Sequence, residues 1–168
     1  MSLQDRIYDF LLPSTKLTED KLIWSDEDAP RPALPYVSMK ITSLLPIGFI
    51  SRSKADEDGK SKLIQHYEIN LSVQYYGDDS AYNELLLLSL RLQSMKSIEL
   101  GRNLHIAFVR RQSISDTTQL LDSRFEKRAS SDLILRSAVY EEEVNELIDK
   151  ITVSGSISGR DIDFDINI

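Results

Sequence analysis

From Ile64 to Tyr76 the chain alternates between apolar and polar residues, and this alternation constrains the fold more than any other feature. Tyr67, Ile69, Leu71, Val73 and Tyr75 share one parity; His66, Glu68, Asn70, Ser72 and Gln74 share the other. Side chains on a strand point to opposite faces with a period of two, so the segment predicts a sheet strand with one packed face and one wet face. Such a sheet needs a cover for its apolar side. The stretch from about Ala81 to Ser94 carries Leu85, Leu86, Leu88 and Leu92 at helical spacing and is the predicted cover. Gly77 and the cluster Asp78-Asp79-Ser80 stop the strand and start that helix.

The remaining elements follow the same logic. Ser2 and Asp5 resemble a capping box, and Leu3, Ile7, Phe10 and Leu11 then fall on one helical face, which Pro13 and Ser14 end. Val37, Met39 and Ile41 alternate with Ser38, Lys40 and Thr42 as a strand. Gly48 to Lys62 is charged and reads as a long hairpin loop. After a turn near Gly101, Ile106 to Ile114 reads as a strand led by His105. Asp116 to Ala129 is polar and charged. Asp132 to Tyr140 reads as a strand with Leu133, Leu135 and Val139 on one side, and Glu141-Glu142-Glu143 as a charged break. Ile151, Val153 and Ile157 make a further strand with a bulge at Gly155. From Arg160 to Ile168, isoleucines and Phe164 alternate with aspartates. The expected architecture is α+β: an antiparallel β-sheet with two main helices packed on one face and long hairpin loops, in a single domain over residues 1–168.

Bulk properties narrow the function classes. There is no cysteine, which excludes disulfides, thiolate metal sites and a cysteine nucleophile. The formal charge of -7 lacks the basic footprint of a protein that grips nucleic acid through phosphates. The longest pure aliphatic run, Leu85 to Leu88, is far short of a membrane span. The first residues have no basic segment followed by an apolar one, so no signal peptide is expected.

Candidate chemistry is sparse. His66 and Glu68 share a strand face, but two ligands are short of the three or four that a zinc site needs, and an ordinary polar face explains them. Gly155 to Gly159 lacks the helix and the Lys-Ser/Thr pair of a phosphate loop. Asp161, Asp163 and Asp165 lie on a strand rather than in a calcium-binding loop, and acids there oppose edge-to-edge aggregation. No enzyme activity, metal or cofactor is expected.

Two segments suit contacts better than catalysis. Residues 26–35 hold Pro30, Pro32 and Pro35, three of the five prolines, and form a stiff extended connector or a strap between subunits. Asp122, Arg124, Glu126 and Arg128 alternate in sign at a period of two. A solvated loop is the plain explanation, and a register-setting contact with a neighbour is the functional one.

Three stretches carry a family resemblance. They are Ile23-Trp24 with Ala29-Pro30-Arg31-Pro32-Ala33-Leu34-Pro35-Tyr36-Val37 and Lys40 to Ser43; Gln74 to Asp79; and Leu120 to Ala129 with Phe125 at its centre. In order and spacing they resemble the phage neck (tail) terminator family, from the first helix to about Gly155. The hairpin Ser51 to Lys62 is variable, and Arg160 to Ile168 looks like an extension.

The resemblance implies a virion protein of a long-tailed phage or prophage, assembled in the host cytoplasm. It implies a homo-hexameric ring that caps the last ring of the tail tube, stops tube growth and offers a docking surface to the head-side connector or stopper. The sheath protein is a further neighbour, DNA passes through without specific binding, and the isolated chain can be a monomer. The interface residues it suggests are Pro30, Arg31, Pro32, Pro35, Tyr36, Asp122, Arg124, Phe125, Glu126 and Arg128. The loops Ser51 to Lys62 and Ser115 to Ala129 are the expected contacts above and below the ring. The rivals are a head-completion stopper, a tube subunit, a small hydrolase built on His66 and Glu68, and a ligand-binding module of no phage context.

Overall fold

The computed structural model describes the chain apart from residues 29, 57–58, 78–80, 122–123, 145–149, 158–159 and 168, and describes the backbone alone at 121, 124, 150–157 and 160–167. Helix α1 spans Leu3–Thr15. A 3-10 turn at Glu19–Lys21 leads into β1, Leu22–Trp24, and then come β2, Tyr36–Arg52, and β3, Lys60–Gly77. Helices α2, Ala81–Arg91, and α3, Met95–Leu104, follow. Strands β4 (Ile106–Arg111), β5 (Ser115–Asp116), β6 (Gln119–Leu121) and β7 (Arg124–Val144) complete a sheet of order β1-β2-β3-β7-β4, with β5 and β6 also on β7. The sheet is mostly antiparallel; β1 runs parallel to β2, with Leu22 opposite Val37. Strands β8, Lys150–Ile157, and β9, Arg160–Asn167, pair with each other.

The chain divides into two compact units. The first holds residues 1–49 and 65–139, and the second holds 50–64 and 140–168.

The core of the first unit is built on the alternation of β3. Ile69, Leu71 and Val73 are fully buried and Tyr75 nearly so. They share one cluster with Ile7, Phe10 and Leu11 of α1, Leu85 and Leu88 of α2, Leu104 of α3, and Leu133 and Leu135 of β7. Polar groups tie the helices together. The Arg91 guanidinium donates to the Ser14 carbonyl at 3.1 Å, and Arg6 to the Leu104 carbonyl at 3.3 Å. Each satisfies a carbonyl that a helix C-terminus leaves without an amide partner.

The capping box of α1 is present: the Ser2 amide donates to Asp5 Oδ2 at 2.8 Å and the Asp5 amide to Ser2 Oγ at 3.1 Å. Asp5 is held below the usual carboxylate range, first by the bond from the Ser2 amide and then by the Ser2 side chain. The helix nevertheless continues through Pro13 to Thr15, and Lys16 closes it in the left-handed region. A proline this close to the end deprives the helix of only one late hydrogen bond.

Several expectations are corrected. Helix α3 replaces the turn expected near Gly101. That glycine sits inside the helix because an added Cβ would overlap the Ile106 carbonyl oxygen and lie 3.1 Å from Phe10 Cε2. His105 does not lead a strand; it closes α3 with φ 53°. Gly48–Lys62 is mostly strand, leaving 53–59 as the connection, and Ser53 donates its amide to the Lys62 carbonyl at 2.9 Å. Ser115–Ala129 contains β5, β6 and the start of β7 and is not a loop. Val139 is exposed, unlike Leu133 and Leu135. Glu141–Glu143 lie within β7, where Arg52 pairs Glu143 at 2.8 Å and Lys62 approaches Glu142 at 4.0 Å. Opposite charges across strands make the acidic run tolerable there.

In the second unit the β8–β9 register is unbroken, with Gly155 opposite Ile162, so no bulge marks that glycine. The Asp78-Asp79-Ser80 helix start and the turn at Gly159 fall outside the described residues.

Candidate assembly site

Tyr36 opens β2 and Tyr76 nearly closes β3, and the two strands are neighbours in the sheet. The two rings stack with centroids 4.4 Å apart and planes 7° from parallel. Tyr36 is buried and Tyr76 half-buried, and the Tyr76 hydroxyl donates to Gln74 Oε1 at 2.7 Å. Alternation makes this possible: Tyr75 enters the core, so Tyr76 and Gln74 take the other face.

Two guanidiniums and one carboxylate complete the cluster. Arg31 Cζ lies 5.4 Å from the Tyr36 centroid and 5.0 Å from that of Tyr76, and Arg128 Cζ lies 5.1 Å from the Tyr76 ring. Cations over aromatic faces are attracted by the ring quadrupole. Arg31 Nε donates to the Tyr36 hydroxyl, and its Nη2 reaches Glu126 Oε1 at 2.7 Å. Arg128 holds Glu126 Oε2 from Nε and Nη2, and its Nη1 donates to Gln119 Oε1 at 2.9 Å. Burial pushes the Glu126 carboxyl upward, but the hydrogen bonds from Arg31 and Arg128 outweigh it and hold the group below the usual range. Burial raises the Tyr36 phenol, with Arg31 opposing.

A carboxylate held by two guanidiniums stays ionised and has its oxygens occupied, which suits a fastening and not a proton shuttle. Elsewhere His66 is exposed, and Glu68 accepts from Arg136 Nη2 at 3.3 Å. Among the described residues no three His, Asp or Glu side chains gather as a metal site, and no helix is long and apolar enough to cross a membrane.

This cluster joins the three stretches that carried the family resemblance, through Arg31 and Tyr36, Tyr76, and Glu126 and Arg128. The profile of the family described as phage neck terminator protein matches residues 1–161. The chain belongs to the phage neck terminator proteins. A search of curated proteins finds no match. Phage neck terminators are structural proteins of the virion.

In this neck terminator the anticipated residues do not all come together. Arg31, Tyr36, Glu126 and Arg128 meet in the cluster, bound to one another within one chain. Pro30, Pro32 and Pro35 frame the approach of the connector, with a cis peptide between Leu34 and Pro35. Phe125 stays outside: it is 70% exposed and faces Leu120 across the β6–β7 hairpin, itself 59% exposed. Arg124 pairs with Leu121 through the backbone, and its side chain, like the whole of Asp122, is outside the described residues. Tyr76 and Gln119 were not anticipated as site residues. The parity of β3 is the signal that could have found Tyr76, because it places that ring on the face opposite Tyr75.

Proposed function

We propose that this neck terminator closes the tail tube as a ring of identical subunits, six in the expected form, and does no catalysis. In this reading one side of the ring seats on the last ring of tube subunits and stops their polymerisation. The other side receives the head-side connector or stopper, with the sheath as a further neighbour, and DNA passes through the hole without specific binding. Assembly takes place in the host cytoplasm.

The observation that carries the reading is the family match over residues 1–161. Two features of the fold support it. The Arg31–Glu126–Arg128 fastening satisfies its own polar groups, so the hairpin beside it can present Leu120 and Phe125 to a partner. The outer strands are also poor templates for indiscriminate growth. Beyond Met39, no strand among the described residues pairs with β2 on its β1 side, and β2 carries Pro46 and Gly48 there, the latter with φ 69°. On β4 the register shifts between Phe108 and Arg110. Proline and bulges on an edge hinder the addition of another strand. That is the property required of a subunit that ends a polymer.

Imaging purified protein mixed with tail tubes tests this. Binding at one tube end is the expected result, and decoration along the length overturns it. In the phage, deletion should give tails of uncontrolled length. Tails of normal length on particles whose heads lose DNA would instead identify a stopper.

A further inference from the structure

Helix α2 is apolar on two sides. Leu85 and Leu88, with Leu92 just past the end of the helix, enter the core. Tyr82, Leu86 and Leu90 form a second row, at intervals of four, that is exposed by 52%, 38% and 57%. Leu87 flanks the row, and Met95 and Ile98 at the start of α3 add 69% and 40% exposure. A surface helix ordinarily carries polar residues on the face away from its core, and this second apolar row departs from that. Side chains of this size offer roughly 200 Å² each when fully exposed, so the six leave on the order of 500 Å² in water. That is near the upper end of what a monomer exposes in one patch. Two such patches face to face bury about 1,000 Å², the lower bound of a specific interface.

The chemistry of the patch suits a second copy of itself. None of the six residues is charged, so two copies do not repel. Lys96 and Glu99 are exposed on α3, opposite in sign, and neither has an ion-pair partner among the described residues. In a two-fold contact residue i of one copy meets j of the other and j meets i, so Lys96 and Glu99 satisfy each other twice. A row at i, i+4 and i+8 is also the ridge that packs beside an identical ridge in the commonest helix pairing.

We propose that the free chain forms a two-fold homodimer through the outer faces of α2 and α3, with Leu86 and Leu90 central and Lys96 of each copy against Glu99 of the other. A two-fold contact closes at two copies. It is therefore separate from the head-to-tail contact that a ring needs, and the dimer is a resting form of the unassembled protein.

Sedimentation of the purified full-length chain, without tubes, from about 1 to about 100 µM tests this. A monomer–dimer equilibrium within that range is expected. Leu90→Asp should leave a monomer throughout, weakening association at least about 100-fold, with its thermal melt unchanged at about 1 µM, where the wild type is mostly monomeric too. Lys96→Glu should weaken association several-fold, and adding Glu99→Lys in the same chain should restore it. The chain has no cysteine, so Leu90→Cys gives a single thiol, which on oxidation should link two copies. A monomer at every concentration, a dimer indifferent to Leu90→Asp, failure of the charge swap to rescue, or a larger ring in place of the dimer would each overturn the proposal. Protection of α2 by tube subunits alone would assign the patch to that partner and overturn it as well. Tube-end binding is scored in a separate experiment, so loss of the dimer leaves the terminator reading standing, and the reverse holds too.

Discussion

Arg31 Nη2 reaches both carboxylate oxygens of Glu126, at 2.7 Å and 2.8 Å, across 95 positions of sequence. Arg128 holds the same carboxylate from the other side. The proline-rich connector and the β6–β7 hairpin are thereby fastened at one point over the Tyr36–Tyr76 stack. Charge-assisted bonds of this kind are stronger than neutral ones, and planar guanidiniums lose little freedom in making them.

The two halves of this fastening should differ in strength. Arg31 is half-exposed, with 46% of its side chain in water, whereas Arg128 keeps only 14%. A double-mutant cycle of Arg31→Ala with Glu126→Gln should give a coupling of about 1 kcal/mol. Arg128→Ala should cost more, about 2 kcal/mol, because it leaves a largely buried carboxylate short of a donor. Urea denaturation of the four variants measures both. Equal losses for Arg31→Ala and Arg128→Ala would contradict the asymmetry.

Acid should release the same fastening. The folded pKa of Glu126 lies below its ordinary value of 4.5 because Arg31 and Arg128 outweigh burial. A depressed folded pKa contributes stability that is complete above the unfolded value and is lost as pH falls through the folded one. Wild-type stability should therefore fall below about pH 4.5, and the fall should be shallower in Glu126→Gln. Denaturation midpoints measured from neutral pH down into that window compare the two slopes. Parallel curves would remove Glu126 as a source of the acid sensitivity.

What could be read in the sequence was governed by how local the information is. The β3 alternation depends on parity alone, and of Tyr67, Ile69, Leu71, Val73 and Tyr75 on its apolar side, all but the half-buried Tyr67 lie in the core. The capping box of α1 is likewise a contact over three residues. Helix α3 was missed because Gly101 looks like a turn signal, and its actual reason is tertiary: only a glycine lets Ile106 and Phe10 come so close. The acidic run at Glu141–Glu143 looked like a break because its partners, Arg52 and Lys62, are remote in sequence. For the site, the family pattern pointed to Arg31, Tyr36, Glu126 and Arg128. The parity of β3 places Tyr76 opposite Tyr75, but that Arg31 and Arg128 both overlie its ring depends on contacts remote in sequence.

Gly101 supplies a test of that packing. In Gly101→Ala the new methyl group meets the Ile106 backbone, which cannot rotate aside as a side chain could. In an open helix the same change would stabilise by up to about 1 kcal/mol. Here it should destabilise by about 1–3 kcal/mol, the usual range for overpacking. A thermal melt decides the sign, and a raised midpoint would mean that α3 and β4 are less tightly apposed than described.

Phe125 separates folding from assembly. It is 70% exposed, pairs across the hairpin with exposed Leu120, and among the described residues lies outside the core cluster. Surface changes remote from packed or bonded groups usually shift stability by less than about 0.5 kcal/mol. Phe125→Asp should thus melt like the wild type. If the hairpin seats against a neighbour, an aspartate there would be desolvated without a partner, and assembly should fail. The expected pair of results is an unchanged melting curve and loss of tube-end binding in the imaging assay, with Phe125→Leu retaining both. Normal capping by Phe125→Asp would move the contact away from this hairpin, and a collapsed melt would show that the ring is structural after all.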